Sequence, residues 1–518
     1  MMTITPTEMK ALENRYMSEH HIPGALLMEH AAMGVMDAIA RYTDKGAVVF
    51  LCGPGNNGGD GYAAARLWKA RGGTSHIIEI TADVKGDALL NRHLAVMANI
   101  PIHSERDYEK VSRPAVIVDA LFGTGFARPA EGFAATLIHW CNDHGFYRNV
   151  PVIAVDIPSG IDGTTGEALG EAVRATETVT FHRVKQGLIL GDAPDYVGKI
   201  TCVSLLTMEG FKGDEDVPGL SIMAPTDLPT FLFRRPTVCH KGDFGRVVMF
   251  CGSPGMAGAA ALCANAALRA GAGLVNILCR ESIFPILQTL APGATCTVLP
   301  EENGHLTPVA IPLVRQTLHR ADAACIGCGL GMAGDTLPIL HLFKEAECPV
   351  LWDADALTLL ARTPGMLPLK PADVITPHPG EAGRLLGCMT SEVTADALDA
   401  LDRLHKKCGC TVLLKGARTL ITDGDEHACN IVGSPALAKG GSGDVLAGII
   451  AALLARRVPE DDVPLLDSIS AAQYGALIHG MAGIRAARQH GENCTQPTDI
   501  VNCIRLDAEG IDCSGRPA

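Results

Sequence analysis

Twice along this chain, short apolar runs alternate with helical periods, and in each series one glycine-rich turn opens a helix. In the first, Ala47–Cys52 leads into Gly53-Pro54-Gly55-Asn56-Asn57-Gly58-Gly59-Asp60-Gly61. In the second, Lys439-Gly440-Gly441-Ser442-Gly443-Asp444 starts a long apolar helix pattern. Parallel neighbours need a crossover connection, so such alternation demands a parallel sheet with helices on both faces. Glycine turns at helix N-termini bare their backbone N–H groups, which is where phosphates bind. Two of them, each ending in an aspartate, point to one phosphorylated small molecule handled twice.

Expected strands of the first series are Ala47–Cys52, Thr74–Ile80, Ala115–Asp119 and Val150–Val155, followed by Thr178–Phe181 and Lys199–Leu205. Ala64, Leu67 and Trp68 share one helix face. The stretch Met208 to Gly219 is charged, bears glycine and proline, and lacks a period, which marks a boundary. Beyond it come Val247–Cys251, Leu274–Cys279, Ala323–Ile326, Val350–Trp352, Val374–Thr376 and Thr411–Leu414. The last helix is expected near Asp444, with Val445, Ile449 and Leu453 along one face. The fold class is therefore α/β, with a Rossmann-like three-layer αβα domain at 1–210, a linker at 211–224, a second α/β domain at 225–507 and a loose tail at 508–518.

Composition narrows the function. Apolar residues at 47% suffice for two cores, and the net charge of −14 argues against nucleic-acid and membrane-surface partners. Local groups must then draw any phosphate. There is no apolar run of transmembrane length, and Thr5-Pro6-Thr7-Glu8 reads as a capping box instead of a leader, so a cytoplasmic protein is expected. The 18 cysteines are scattered, and Cys52, Cys251, Cys263 and Cys279 lie in apolar runs as small buried thiols. Cys325/Cys328 and Cys408/Cys410 are the close pairs; a zinc site would need a second matching pair, so these read as packing.

Ligands of an open parallel sheet bind beyond the carboxyl ends of its strands. Three segments of the first domain sit at such ends: Asn56 to Asp60, Asp119 to Pro129, and Asp156-Ile-Pro-Ser159-Gly-Ile-Asp162. They supply the carboxylates of Asp60, Asp119 and Asp156, the Asn57 amide and the Ser159 hydroxyl, oxygen donors suited to a hard cation. Gly123 and Gly125 read as a second backbone nest, and Arg128 as a phosphate partner. Each aspartate taken alone also reads as a turn or helix cap.

Gly-Pro-Gly-Asn-Asn-Gly-Gly-Asp-Gly, Asp-Ala-Leu-Phe-Gly-Thr-Gly and Asp-Ile-Pro-Ser-Gly resemble the epimerase domain of bifunctional NAD(P)H-hydrate repair enzymes, over residues 5 to 205. The resemblance implies potassium at Asn57, Asp119 and Ser159. It places the hydrated cofactor on Asn56, Asn57, Gly58, Gly59 and Asp60, on Gly123, Thr124, Gly125, Phe126, Ala127, Arg128 and Pro129, and on Asp156. The implied reaction converts the R hydrate of NADH or NADPH to the S form. Asp156 is the expected acid and base, provided its surroundings raise its pKa.

The second domain carries Lys241 to Gly245, Gly252 to Gly258, Gly327 to Gly331, Thr376-Pro-His378-Pro-Gly-Glu381, Lys415 to Thr419 and Gly441-Ser-Gly-Asp444. A Gly-Xaa-Gly-Asp turn at a helix start forms an anion hole for a transferring phosphoryl group, with its aspartate placed to deprotonate a hydroxyl. This resembles the ribokinase-like fold, and the order of motifs resembles ADP- or ATP-dependent NAD(P)H-hydrate dehydratases, over residues 225 to 505. The resemblance implies that Ala257, Gly331, His378 and Asp444 touch the hydrated nucleotide. It implies that Lys415, Gly416, Ala417, Arg418, Thr419 and Gly443 hold the adenine nucleotide, supplied as ADP or ATP with magnesium. Relatives assemble through both domains, so a homo-oligomer is expected.

The alternative is a vitamin-type small-molecule kinase with a noncatalytic first domain. A plain NAD-dependent dehydrogenase fits less well, because Glu79 is the sole candidate for a ribose-binding acid.

Overall fold

The computed structural model describes residues 2–111, 113–205, 217, 219–232, 234–457, 465–507, 509 and 511. Residues 211–216 and 218 of the expected linker, and all of the expected tail but 509 and 511, lie outside them. The chain divides into two compact units, Met1–Ser221 and Ile222–Ala518.

Among the described residues, the first unit is built on a seven-stranded sheet in the order Ile102–His103, Thr74–Glu79, Ala47–Cys52, Val116–Ala120, Val152–Val155, Glu177–Phe181 and Lys199–Val203. Every neighbouring pair is parallel. Val48, Phe50 and Cys52 enter one core together with the helices Gly24–Ala40 and Asn56–Ala70. Val49 and Leu51 enter the opposite core with Leu137, Ile138 and Cys141 of the helix Phe133–Arg148. Both faces are covered, which is why these strands read as continuous apolar runs. Expected strand ends differ by one or two residues. The strand expected from Val150 begins at Val152, because Pro151 has no N–H to give the ladder.

The N-terminal capping box forms. Glu8 N–H donates to Thr5 Oγ1 at 3.3 Å and Thr5 N–H donates to Glu8 Oε2 at 2.9 Å, starting the helix Pro6–His20. Just before it, Thr3–Ile4 pairs in parallel with Val184–Lys185, with Ile4 opposite Lys185. This short pairing holds the helix that carries Glu13 beside Lys185.

The second unit has a ten-stranded sheet in the order Ser221–Met223, His427–Asn430, Thr419–Thr422, Thr411–Leu414, Val374–Ile375, Val350–Trp352, Ala323–Ile326, Arg246–Phe250, Leu274–Arg280 and Thr295–Leu299. Pairing is parallel from Thr411–Leu414 to Thr295–Leu299, and antiparallel among Thr411–Leu414, Thr419–Thr422 and His427–Asn430. The strands with threonine, histidine and asparagine escaped a reading tuned to apolar runs.

Val445, Ile449 and Leu453 are buried on the helix Ser442–Leu454 as expected. That helix is not the last: Ser468–His490 and Pro497–Asn502 follow it. Ser468–His490 is buried on nearly every side, including Gly475, Gly480 and Gly483, so its sequence shows no polar stripe. Gly448 lets Ser442–Leu454 pack closely on Ala257–Arg269, since a Cβ there would stand 2.1 Å from the Cys263 carbonyl oxygen. Among the described residues no helix is long and apolar enough to cross a membrane.

Candidate functional sites

The five oxygen donors of the first unit separate into two groups. Asn57, Asp119 and Ser159 form one. Asp119 is fully buried at the end of its strand. Its carboxylate accepts from Ser159 N–H at 2.8 Å, Ser159 Oγ at 2.6 Å and Leu121 N–H at 3.2 Å. Burial raises its pKa to about 6, opposed by the bonds from Ser159 and Leu121. Phe122 N–H donates to Ser159 Oγ at 3.0 Å, and the next residue, Gly123, faces Asn57: a Cβ on it would lie 3.2 Å from Asn57 Cβ and 3.6 Å from Asn57 Oδ1. Asn57 is buried, and neither Oδ1 nor Nδ2 has a hydrogen-bond partner. A buried amide left so is costly, and its oxygen, reached through Phe122–Gly123 from the Ser159–Asp119 pair, is a donor suited to a hard monovalent cation.

Asp156 and Asp60 form the other group, with two residues the sequence reading gave no role. Asp156 has φ +63°, a left-handed conformation rare outside glycine, and its N–H donates to Val179 O at 2.7 Å. That turn aims its carboxylate at Lys185 Nζ, 2.7 Å from Oδ1, while Thr180 Oγ1 donates to the same oxygen at 3.0 Å. Lys185 is buried and also donates to Phe181 O at 2.9 Å. Asp60 is driven well above the ordinary carboxylate range by burial, then by the charges of Asp156 and Glu13, with Lys185 opposing. Burial also raises Glu13, Lys185 opposing and Asp156 adding. Two carboxyls with raised proton affinity, Asp60 and Glu13, thus flank the Asp156–Lys185 pair.

Around the glycine turn, a Cβ on Gly58 would meet the Gly53 carbonyl oxygen at 1.9 Å, whereas Gly55 faces open space. On the loop from Gly123 to Pro129, Phe122 stacks on Phe126 with centroids 3.9 Å apart, and Arg128 is exposed. Gly123 and Gly125 do not adopt positive φ, so the alternating backbone of a nest is absent from that pair.

In the second unit the site gathers at the start of the helix Ser442–Leu454. Gly441 caps it at φ +99°. A Cβ on Gly443 would lie 3.6 Å from Lys415 Nζ and 4.0 Å from Asp353 Oδ2. Lys415 Nζ donates to Asp353 Oδ1 at 2.8 Å and stands 3.8 Å from Glu381 Oε2. Burial works against the Lys415 ammonium, but Asp353 and Glu381 outweigh it and hold its pKa above the ordinary value. Asp444 is raised to about 9, by burial first and then by the Cys328 thiol and the Asp353 charge, Lys415 opposing.

His378 caps the helix Pro379–Leu386, its Nδ1 accepting from Gly380 N–H at 3.0 Å and its Nε2 lying 3.4 Å from Glu381 Oε1. Gly331, at φ +80°, donates its N–H to Asp355 Oδ2 at 2.8 Å. A Cβ there would stand 3.3 Å from Ser253 Oγ and 3.8 Å from the tip of Met256, whose neighbour Ala257 begins the next helix. Arg418 points elsewhere, donating to Ile431 O at 2.7 Å.

Residues 247–506 match the family described as NAD(P)H-hydrate dehydratase, and residues 24–187 match the family described as YjeF-related protein N-terminus. The bifunctional NAD(P)H-hydrate repair enzyme of Moorella thermoacetica is 33% identical over 529 residues, spanning 97% of this chain and 96% of its own. That of Escherichia coli is 37% identical over 471 residues, spanning 90% and 86%. This chain belongs to the bifunctional NAD(P)H-hydrate repair enzymes. The ADP/ATP-dependent NAD(P)H-hydrate dehydratase of Bacillus subtilis, co-crystallised with ATP/Mg2+, aligns with 55% of this chain and 96% of its own at 25% identity, with a TM-score of 0.47.

Within this repair enzyme the sequence reading left Glu13, Lys185, Asp353, Glu381 and His479 without a role. Asp353 was within reach, since it follows the strand Val350–Trp352 at its carboxyl end, as Asp119 and Asp156 follow theirs. His479 had no local signal. It sits buried in the middle of Ser468–His490, with Nε2 3.0 Å from Ser442 Oγ in the Gly441-Ser-Gly-Asp turn.

Proposed function

We propose that the two sites act in series on one damaged dinucleotide, with the epimerase at 1–210 and the dehydratase at 225–507. The first inverts the hydrated carbon of the R hydrate of NADH or NADPH. The second removes water from the S hydrate at the expense of ADP, the favoured nucleotide, or ATP. The observation that carries this reading is the convergence of Asp444, Lys415, Gly443 and buried Asp353 at one helix start. A phosphoryl-transfer site is built there, in a chain whose other half has an acid–base pocket.

In the epimerase, the hydroxyl leaves and returns beside the ring nitrogen. That requires one carboxyl that holds a proton and one carboxylate that accepts one. Asp60, with its raised proton affinity, donates to the departing hydroxyl, and Asp156 takes the proton of the water that re-adds from the other face. Lys185 fixes the position of Asp156. The loop Gly123–Pro129 and the turn Asn56–Asp60 bind the nucleotide, and Asn57, Asp119 and Ser159 would hold potassium, which would supply positive charge to a phosphorylated ligand.

In the dehydratase, Asp444 in its ionised form, a minority at neutral pH because burial raises it to about 9, takes the substrate hydroxyl proton as the oxygen attacks the terminal phosphoryl group. The N–H groups of Gly441 to Gly443 stabilise the transferring charge, donors worth about 2.7–4 kcal/mol each at such sites. Lys415 balances the charge of the nucleotide, whose magnesium neutralises the phosphate oxygens when bound. The ring nitrogen then expels phosphate, a far better leaving group than water, and loss of the neighbouring C5 proton restores the dihydronicotinamide. His378, Ala257 and Gly331 line the nicotinamide side. Assembly as a homo-oligomer in the cytoplasm belongs to the same reading.

The test follows the near-ultraviolet absorbance of dihydronicotinamide as the purified chain acts on a mixed R/S hydrate with potassium, magnesium and ADP or ATP. Full recovery, faster than spontaneous epimerisation, is expected. Recovery of the S share alone would refute the epimerase role, and no recovery with either nucleotide would refute the dehydratase role.

A further inference from the structure

Four cysteines of the second unit meet in one pocket. Cys251, Cys263, Cys325 and Cys328 are each 0% exposed, and their Sγ atoms all lie within 4.8 Å of one another. The Cys325/Cys328 pair by itself lacks the second pair that a zinc site requires; the tertiary structure supplies it in Cys251 and Cys263.

Backbone pairing brings the sulfurs together. The strands Arg246–Phe250 and Ala323–Ile326 are parallel neighbours with Met249 opposite Cys325 and Phe250 opposite Ile326, so both leave the sheet at one level. Gly327 N–H donates to Phe250 O at 3.2 Å and Gly252 N–H donates to Cys328 O at 2.9 Å, locking the two turns to each other. Cys263 closes the set from the helix Ala257–Arg269, its Sγ 3.8 Å from that of Cys325. A zinc–sulfur bond of about 2.3 Å in a tetrahedron gives a sulfur–sulfur edge of about 3.8 Å. Cys141 and Cys429 are buried thiols outside this group.

We propose that these four thiols bind a single zinc ion as a closed structural site that ties the two glycine turns to the helix Ala257–Arg269. Binding replaces the four S–H protons with one Zn2+ and releases the protons to solvent. The all-sulfur donor set selects a thiophilic ion over magnesium, which prefers oxygen. With four protein ligands no position stays open for substrate, so the ion is structural. Cys328 Sγ also lies 3.9 Å from Asp353 Oδ2, so the zinc turn touches the dehydratase site.

The full chain, stripped of metal and reconstituted under reducing conditions with zinc or with cobalt, tests this by metal analysis after gel filtration and by absorption spectroscopy. One zinc per chain is expected, together with the intense thiolate-to-cobalt charge-transfer band of a tetrathiolate tetrahedral centre. Cys263→Ser should lose the bound zinc, and Cys429→Ser, a buried thiol outside the cluster, should keep it. A wild-type chain that binds no zinc, a cobalt spectrum without the tetrathiolate bands, or a Cys263→Ser chain that keeps its zinc overturns the assignment. So does finding the four cysteines paired as disulfides in the metal-free native protein. Should Cys263→Ser fail to fold, the wild-type stoichiometry and cobalt spectrum decide alone.

Discussion

His479 ties the stability of the dehydratase unit to pH. Its imidazole is buried, which pushes its pKa down to about 4; the bond to Ser442 works the other way, and the Lys415 ammonium lowers it further. An unfolded histidine titrates near 6.5, so below about pH 6.5 the unfolded chain takes up a proton that the native chain refuses. The folded value being the depressed one, its contribution is fully present above about pH 6.5 and is lost as pH falls toward about pH 4. At about 1.36 kcal/mol per pH unit, acidification from about pH 7.5 to about pH 5 removes about 2 kcal/mol, and the whole window about 3 kcal/mol. His479→Gln does not titrate there and keeps a polar partner for Ser442. Hydrogen exchange of peptides from Ser442–Leu454 in graded urea, for both proteins at several pH values, reads the difference. The wild type should lose about 2 kcal/mol more than the variant over that range. Parallel losses in the two proteins would mean that His479 is not held neutral against the turn.

Three further outcomes follow from the sites. Asp444→Asn should lower dehydratase kcat by about 10²–10⁴-fold with little change in KM for the S hydrate; steady-state kinetics with retained activity would remove Asp444 as the base. Lys185→Met leaves Asp156 without its buried cation, and should abolish epimerisation and cost the first unit about 3 kcal/mol, read by denaturant titration, while dehydration of pure S hydrate continues. Gly58→Ala would drive a methyl into the Gly53 carbonyl at 1.9 Å. The turn must shift, so R-hydrate conversion should fail although the dehydratase works; an unimpaired epimerase would show that the turn tolerates a side chain.

Much of this protein was legible along the chain, because the information was local. Continuous apolar runs between helical periods can satisfy their backbones only as buried parallel strands, so Ala47–Cys52, Ala323–Ile326, Val350–Trp352 and Thr411–Leu414 stand where the pattern put them. Glycines that permit close approach, and aspartates at strand ends, point to both candidate sites, since bare N–H groups and carboxylates converge at those places. Tertiary structure alone decided which donors share a pocket. Asn57 joins Asp119 and Ser159 while Asp60 joins Asp156, and the partners that set their charge, Glu13 and Lys185, come from distant segments. The same holds for His479 beneath Ser442 and for the second pair of cysteines around Cys325 and Cys328. Proton affinity and metal-ligand sets depend on burial and on distances of a few ångströms between residues far apart in sequence, and only the packed fold sets those.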